Sequence, residues 1–173
     1  AVPKFKGGIG TSSRKLPESL GGYTVGVLVQ TNFGGVLQID GVPVGEELKT
    51  FSFRNNLYNN ADGSCMIVVC TDAPLDARNL ERLAKRAFMG LAKTGGIASN
   101  GSGDYVIAFS TNDSLRVPHS TNTPLLIQPE LHNEFITPLF MAAIEATEEA
   151  IINSLFSAER MKGFKGHEVE PLP

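Results

Sequence analysis

The chain has no tryptophan, and only two cysteines and three histidines among 173 residues. The cysteines, Cys65 and Cys70, flank the run Met66-Ile67-Val68-Val69. On a strand they fall on opposite faces, and at about 3.3 Å per residue they stand roughly 16 Å apart, too far for a disulfide. They read as small buried hydrophobes, and nothing in their number signals a disulfide framework. His119, His132 and His167 are scattered through loop-like sequence. No pair has metal-ligand spacing, so neither a metal nor a cofactor is expected. Runs of like charge are missing too, and net charge is only -3. No partnership with nucleic acid is therefore expected. Apolar stretches of membrane-spanning length are also lacking, so no membrane span is expected.

What is present is an ordinary globular composition, 42% hydrophobic and 19% charged, enough to bury a core within a single domain spanning residues 1–173. Tyr23 to Gln30 is rich in β-branched residues and reads as a strand, with Thr31-Asn32-Phe33-Gly34-Gly35 turning it. Val36 to Ile39 reads as a second, short strand before the Asp40-Gly41 turn. Residues 46–63 are polar and Asn-rich, an expected exposed loop. Cys65 to Cys70 follows at once as an apolar strand without alternation, which predicts burial on both faces.

Leu80, Leu83, Ala84, Ala87, Phe88 and Leu91 mark the inner stripe of a helix. Asp76 is its expected N-cap, Gly95-Gly96 its stop, and its basic face an expected solvated surface. Tyr105 to Phe109 is a further strand, and residues 111–135 are loop-like with Pro118, Pro124 and Pro129. Thr137-Pro138 opens a second long helix with Phe140, Ile144, Thr147, Ile151 and Leu155 inward, and Glu145, Glu148 and Glu149 outward. Strands, helix, strand, helix predict a mixed α/β or α+β domain with helices packed on a sheet.

Several chemical motifs fail on inspection. Gly96 to Gly103 has phosphate-loop glycine spacing, but no lysine follows Gly101 and no strand precedes it. No glycine fingerprint opens a helix to bind a dinucleotide. Ser102 lacks the nucleophile-elbow context of a Ser-His-Asp hydrolase. The unusual feature is Ser64, which follows Asp62-Gly63 where the Asn-rich loop meets the apolar strand. Its hydroxyl can attack the preceding carbonyl. Hydrolysis of the resulting ester would leave Ser64 as a new amino terminus, whose amine has a reference pKa of about 7.7–8.0. One residue would then carry both nucleophile and base. Gly-Ser at a loop–strand junction is common, so the residues alone leave an ordinary junction open.

Phe5-Lys6-Gly7-Gly8-Ile9-Gly10-Thr11-Ser12-Ser13-Arg14, Tyr23 through Gly34, and Thr71-Asp72-Ala73-Pro74-Leu75 together resemble the DmpA family of self-processing aminopeptidases. The resemblance runs to Gly163-Phe164-Lys165-Gly166-His167. It implies an α+β, four-layer αββα sandwich of the DmpA and ornithine acetyltransferase type, here incomplete on the N-terminal side. It implies autocleavage between Gly63 and Ser64, residues 1–63 ending the α chain and 64–173 forming the β chain. It implies Ser64 as nucleophile, Asn32 as oxyanion donor, and Ser102 as the serine that orients the nucleophile and its amine. Asp104 falls where the β-peptidyl branch has glutamate, one methylene longer. Ser102, Asp104 and Asn32 are otherwise plain turn formers.

The activity so implied is a serine-type aminopeptidase releasing N-terminal residues from short peptides, amides or esters. Homo-oligomers of processed αβ units are implied as well. The resemblance also implies an upstream segment, supplying an oxyanion tyrosine and much of the substrate pocket. Two other readings stay open. One is an ornithine acetyltransferase-like acyltransferase, a family that uses threonine where this chain has Ser64. The other is a non-catalytic binding or structural domain.

Overall fold

The computed structural model describes residues 5–51 and 63–173. Four strands form one sheet in the order β1-β2-β3-β4. They are Ile9–Lys15 (β1), Thr24–Asn32 (β2), Ser64–Thr71 (β3) and Tyr105–Ser110 (β4). β1–β2 and β2–β3 are antiparallel, whereas β3–β4 is parallel. A parallel pair needs a crossover, and the helix Ala77–Lys93 (α2) supplies it. The helix Thr137–Phe156 (α3) lies beside α2 on the same side of the sheet. A short helix, Val44–Glu47 (α1), follows β2, and a small hairpin of Met161–Lys162 (β5) and Glu168–Val169 (β6) follows α3.

The core lies between the sheet and the two long helices. β2 gives it Val25, Val27 and Val29, and β3 gives Cys65, Ile67 and Val69, all at most 4% exposed. Each buried valine or isoleucine contributes about 1.5–3 kcal/mol relative to an exposed one. From the helices come Leu83, Ala87, Leu139, Ala143, Ala146 and Ile151.

The β3 sequence predicts burial on both faces, but the described residues cover only one of them fully. Cys65, Ile67, Val69 and Thr71 are buried, whereas Met66 on the other face is 40% exposed. Leu28, Tyr105, Ile107 and Phe109 share that open face. The described residues therefore build one sheet and one helix layer of an α+β fold, and the apolar composition of β3 exceeds what these two layers bury.

One sequence-based element needs correction. Val36–Ile39 is not a strand. Val36 N–H bonds to the Gly95 carbonyl and Gln38 N–H to that of Thr94, so the segment is tied to the end of α2. The small-residue stretch Ile9–Lys15, which carries no β-branched run, is a strand as well. Its smallness is a packing requirement, since a Cβ on Gly10 would stand 1.9 Å from the Ala150 carbonyl oxygen in α3. α3 thereby lies almost against the backbone of β1.

Asp76 does cap α2, accepting from Asn79 N–H at 2.8 Å, and the helix ends at Lys93, with Thr94 as C-cap just before Gly95-Gly96. Phe88, expected on the inner stripe, is 38% exposed, whereas Gly90 lies against the α3 backbone at Ile144. Part of the basic face is engaged rather than simply solvated: Arg82 and Arg86 stack over the Phe140 ring at 5.1 and 4.1 Å. The outward glutamates of α3 also find partners. Arg14 of β1 pairs with Glu145 at 3.1 Å and with Glu149, and Lys93 pairs with Glu148. Thr137-Pro138 does open α3, with Thr137 as the first helical residue, Ile136 as N-cap and no side-chain cap hydrogen bond.

Candidate active site

Ser64 is the first residue of β3, at the sheet end where β2 finishes and the loop from α2 enters β4. Antiparallel register puts Ser64 directly opposite Asn32, the last residue of β2. Paired residues on neighbouring strands share a face, so both project on the open side of the sheet. Gly63 precedes Ser64 and is buried.

The Ser64 hydroxyl has two partners. It donates to the carbonyl oxygen of Gly63 at 2.7 Å and accepts from Gly103 N–H at 3.1 Å. The oxygen is thus fixed beside the Gly63 carbonyl. An amide N–H so placed can stabilise negative charge on a serine oxygen. Residues 96–103, which deliver Gly103, include Ala98 at a left-handed φ of 43°, a conformation costly for a residue with a Cβ.

Ser102 and Asp104 lie on either side of that amide. Ser102 Oγ donates to Asp104 Oδ2 at 2.7 Å, and Cys65 N–H donates to Asp104 Oδ1 at 2.8 Å. Both carboxylate oxygens are engaged, one by the loop and one by β3. The structure therefore brings Gly63, Ser64, Asn32, Ser102 and Asp104 to one end of the sheet. Sequence reasoning missed the amides of Gly103 and Cys65. Backbone donors carry no residue-type signal, and only the fold reveals them.

Cys65 adjoins Ser64 but points into the core and is fully buried. Burial, reinforced by the Asp104 charge, pushes its thiol up to about 12. It is therefore protonated and poorly nucleophilic at neutral pH. Cys70 lies on the opposite face with its Sγ near the Gly26 carbonyl, and both cysteines are free thiols. His119, His132 and His167 are exposed. Among the described residues, no group of three or more His, Cys, Asp or Glu could hold a metal, and no helix is long and apolar enough to cross a membrane. Among the described residues, one open groove lies between Lys6–Ile9 and Ser154–Met161 and another around Phe109–Arg116. Neither is lined by the Ser64 cluster.

Sequence and fold both link the chain to known proteins. A β-peptidyl aminopeptidase BapA of Sphingosinicella microcystinivorans is 42% identical over 98% of this chain and 46% of its own length. A protein of Pyrococcus horikoshii OT3, PH0078, superposes with a TM-score of 0.85 at 47% identity, over all of this chain and 46% of that one. The L-aminopeptidase D-Ala-esterase/amidase of Ochrobactrum anthropi, described as a variant of the Ntn hydrolase fold, gives 0.83 at 34% identity over all of this chain and 47% of its own. The chain thus spans about half the length of the relatives it matches. The model of peptidase family S58 matches residues 1–169, and on that match, with these relatives, the chain belongs to peptidase family S58, the DmpA-type aminopeptidases.

Proposed function

We propose that the whole protein is a self-processing serine aminopeptidase that cuts itself between Gly63 and Ser64 and then releases N-terminal residues from short peptides, amides or esters. The observation that carries this reading is the Ser64 hydroxyl, bonded to the Gly63 carbonyl and receiving the Gly103 amide. In the mature enzyme Ser64 Oγ attacks the substrate carbonyl, and the freed Ser64 amine takes the proton and returns it to the leaving group. Asn32, opposite Ser64 in the ladder, supplies a carboxamide N–H for the oxyanion. Ser102 and Asp104 hold the loop that presents Gly103. An acyl-enzyme forms and water releases it. Names of the relatives include both β-peptidyl and L-aminopeptidases, so both substrate kinds belong to the test.

The open sheet face fits an enzyme larger than this chain. Leu28, Met66, Ile107 and Phe109 are 40–58% exposed there, on the same face as Ser64. An upstream segment that packs on this face would close the sandwich and wall the substrate pocket. Homo-oligomers of processed units remain part of the proposal.

The test uses the full-length protein. Mass spectrometry should show a fragment that begins at Ser64, and the purified enzyme should hydrolyse L-amino-acid or β-amino-acid anilides. A fully active protein with the 63–64 bond intact would overturn the reading. Acetyl transfer to glutamate without anilide hydrolysis would point to an acyltransferase instead.

A further inference from the structure

Gly63 is buried against main chain rather than side chain. A Cβ built on it would lie 2.5 Å from the carbonyl oxygen of Asn32 and 2.7 Å from Cα of Phe33. Neither is the tip of a flexible side chain that could turn away. By contrast, a Cβ on Gly103 would meet Ser64 Oγ at 3.4 Å, an ordinary contact. Space therefore calls for a glycine at 63. The segment it presses on carries Asn32, which pairs across the ladder with Ser64.

We infer that Gly63 is the specificity-determining residue of self-cleavage, through its contact with the Asn32–Phe33 main chain. The inference rests on the reading that the 63–64 bond is the one cut. Ser64 Oγ forms a bond to the Gly63 carbonyl carbon while the C–N bond breaks. The hydroxyl proton passes to the departing Ser64 nitrogen, leaving an ester and a free amine. Water then hydrolyses the ester to a Gly63 carboxyl group and restores the Ser64 hydroxyl. Throughout, the carbonyl of residue 63 must stay beside Ser64 Oγ and within reach of the strand end bearing Asn32. A side chain at 63 forces the two backbones apart and spoils both relations at once.

The consequence ends with the cut. Once the bond is cut, residue 63 is no longer tied covalently to Ser64, and its new carboxylate leaves a buried seat, where an unpaired charge is costly. Residue 63 then stops pressing on Asn32. Gly63→Ala should separate maturation from turnover.

The experiment follows self-cleavage of full-length wild type and Gly63→Ala by mass spectrometry, then measures kcat/KM per processed molecule. Cleavage should slow by roughly tenfold or more, while the processed fraction stays within about twofold of wild-type kcat/KM. If the variant accumulates poorly, pulse labelling reads the cleavage rate before the product is lost. Wild-type cleavage in Gly63→Ala overturns the inference, as does an equal loss of rate in the processed fraction. Failure of the parent reading is distinct, because it appears as a wild-type enzyme that is active uncut.

Discussion

The carboxylate of Asp104 and the backbone amide of Cys65 meet at 2.8 Å, which ties the loop before β4 to the residue that follows Ser64. The other oxygen of the same carboxylate takes the Ser102 hydroxyl. One side chain thus sets the position of the Gly103 amide relative to Ser64. A carboxylate one methylene longer would have to fold back to make both bonds. The shorter side chain is suited to this bridge.

Asp104→Asn should therefore slow turnover. A hydrogen bond to a charged group contributes about 1.5–3 kcal/mol, and part of that should appear in kcat. Ser102→Ala removes the donor to the other oxygen and should slow turnover while the fold persists. Steady-state kinetics on processed enzyme, with circular dichroism for the fold, checks both. Unchanged kcat/KM in Ser102→Ala would reduce the loop to a turn.

Ser64→Ala should leave the precursor uncut and inactive. Residual hydrolysis by that variant would show that another group attacks the substrate. Cys65 is not that group, since its thiol is buried and protonated at neutral pH.

Asn32→Ala tests the oxyanion role. Loss of one such donor typically costs about 10²–10³ in kcat, or about 2.7–4 kcal/mol, with little change in ground-state binding. The same variant should also mature slowly, because self-cleavage passes through an oxyanion too, so rates must be taken on the processed fraction. A lower melting temperature with wild-type kcat would return Asn32 to a turn-forming residue.

Cys65 gives a pH prediction. Its folded thiol is raised from 9.0 to about 12, by burial first and the Asp104 charge second. Above the unfolded value the unfolded chain loses this proton while the folded protein keeps it. The thiol's contribution to stability is therefore complete below about pH 9 and is lost as pH rises through about 12. Denaturant titrations between these limits should show a steeper alkaline fall for wild type than for Cys65→Ala. Iodoacetamide at pH 8 should spare Cys65 until the protein unfolds.

Gly10→Ala tests the approach of α3 to β1. The added methyl meets backbone 1.9 Å away. Overpacking of this kind typically costs about 1–3 kcal/mol. A calorimetric melt should show the loss, and an unchanged melting temperature would mean that α3 has room to shift.

Sequence alone conveyed the helices, because periodic Leu and Ala in α2 and the Asp76 cap are local signals. β3 was equally plain as an apolar run, though its second face is open here. β1 was hidden by the very residues that let α3 approach, since Gly10 and Ser12 carry no β signature. Val36–Ile39 misled for the opposite reason: apolar residues there serve a loop bonded to the end of α2. At the site, the Gly63-Ser64 junction stood out in the residues themselves, the family resemblance added Asn32, Ser102 and Asp104, and the fold brings all four side chains to one sheet end. The Gly103 and Cys65 amides and the tight seat of Gly63 depend on pairings far apart in the chain.

The position of β3 between β2 and β4 has a consequence for the history of the molecule. A break before Ser64 would divide the covalent chain but not the sheet. β1 and β2 would stay laddered and packed to partners on the other piece, with α3 lying across both. First folding is a reaction of one chain with itself. After the break, refolding becomes a meeting of two chains and depends on their concentration. Such a protein would assemble once as a monomer's problem in topology, and ever after as a problem of association.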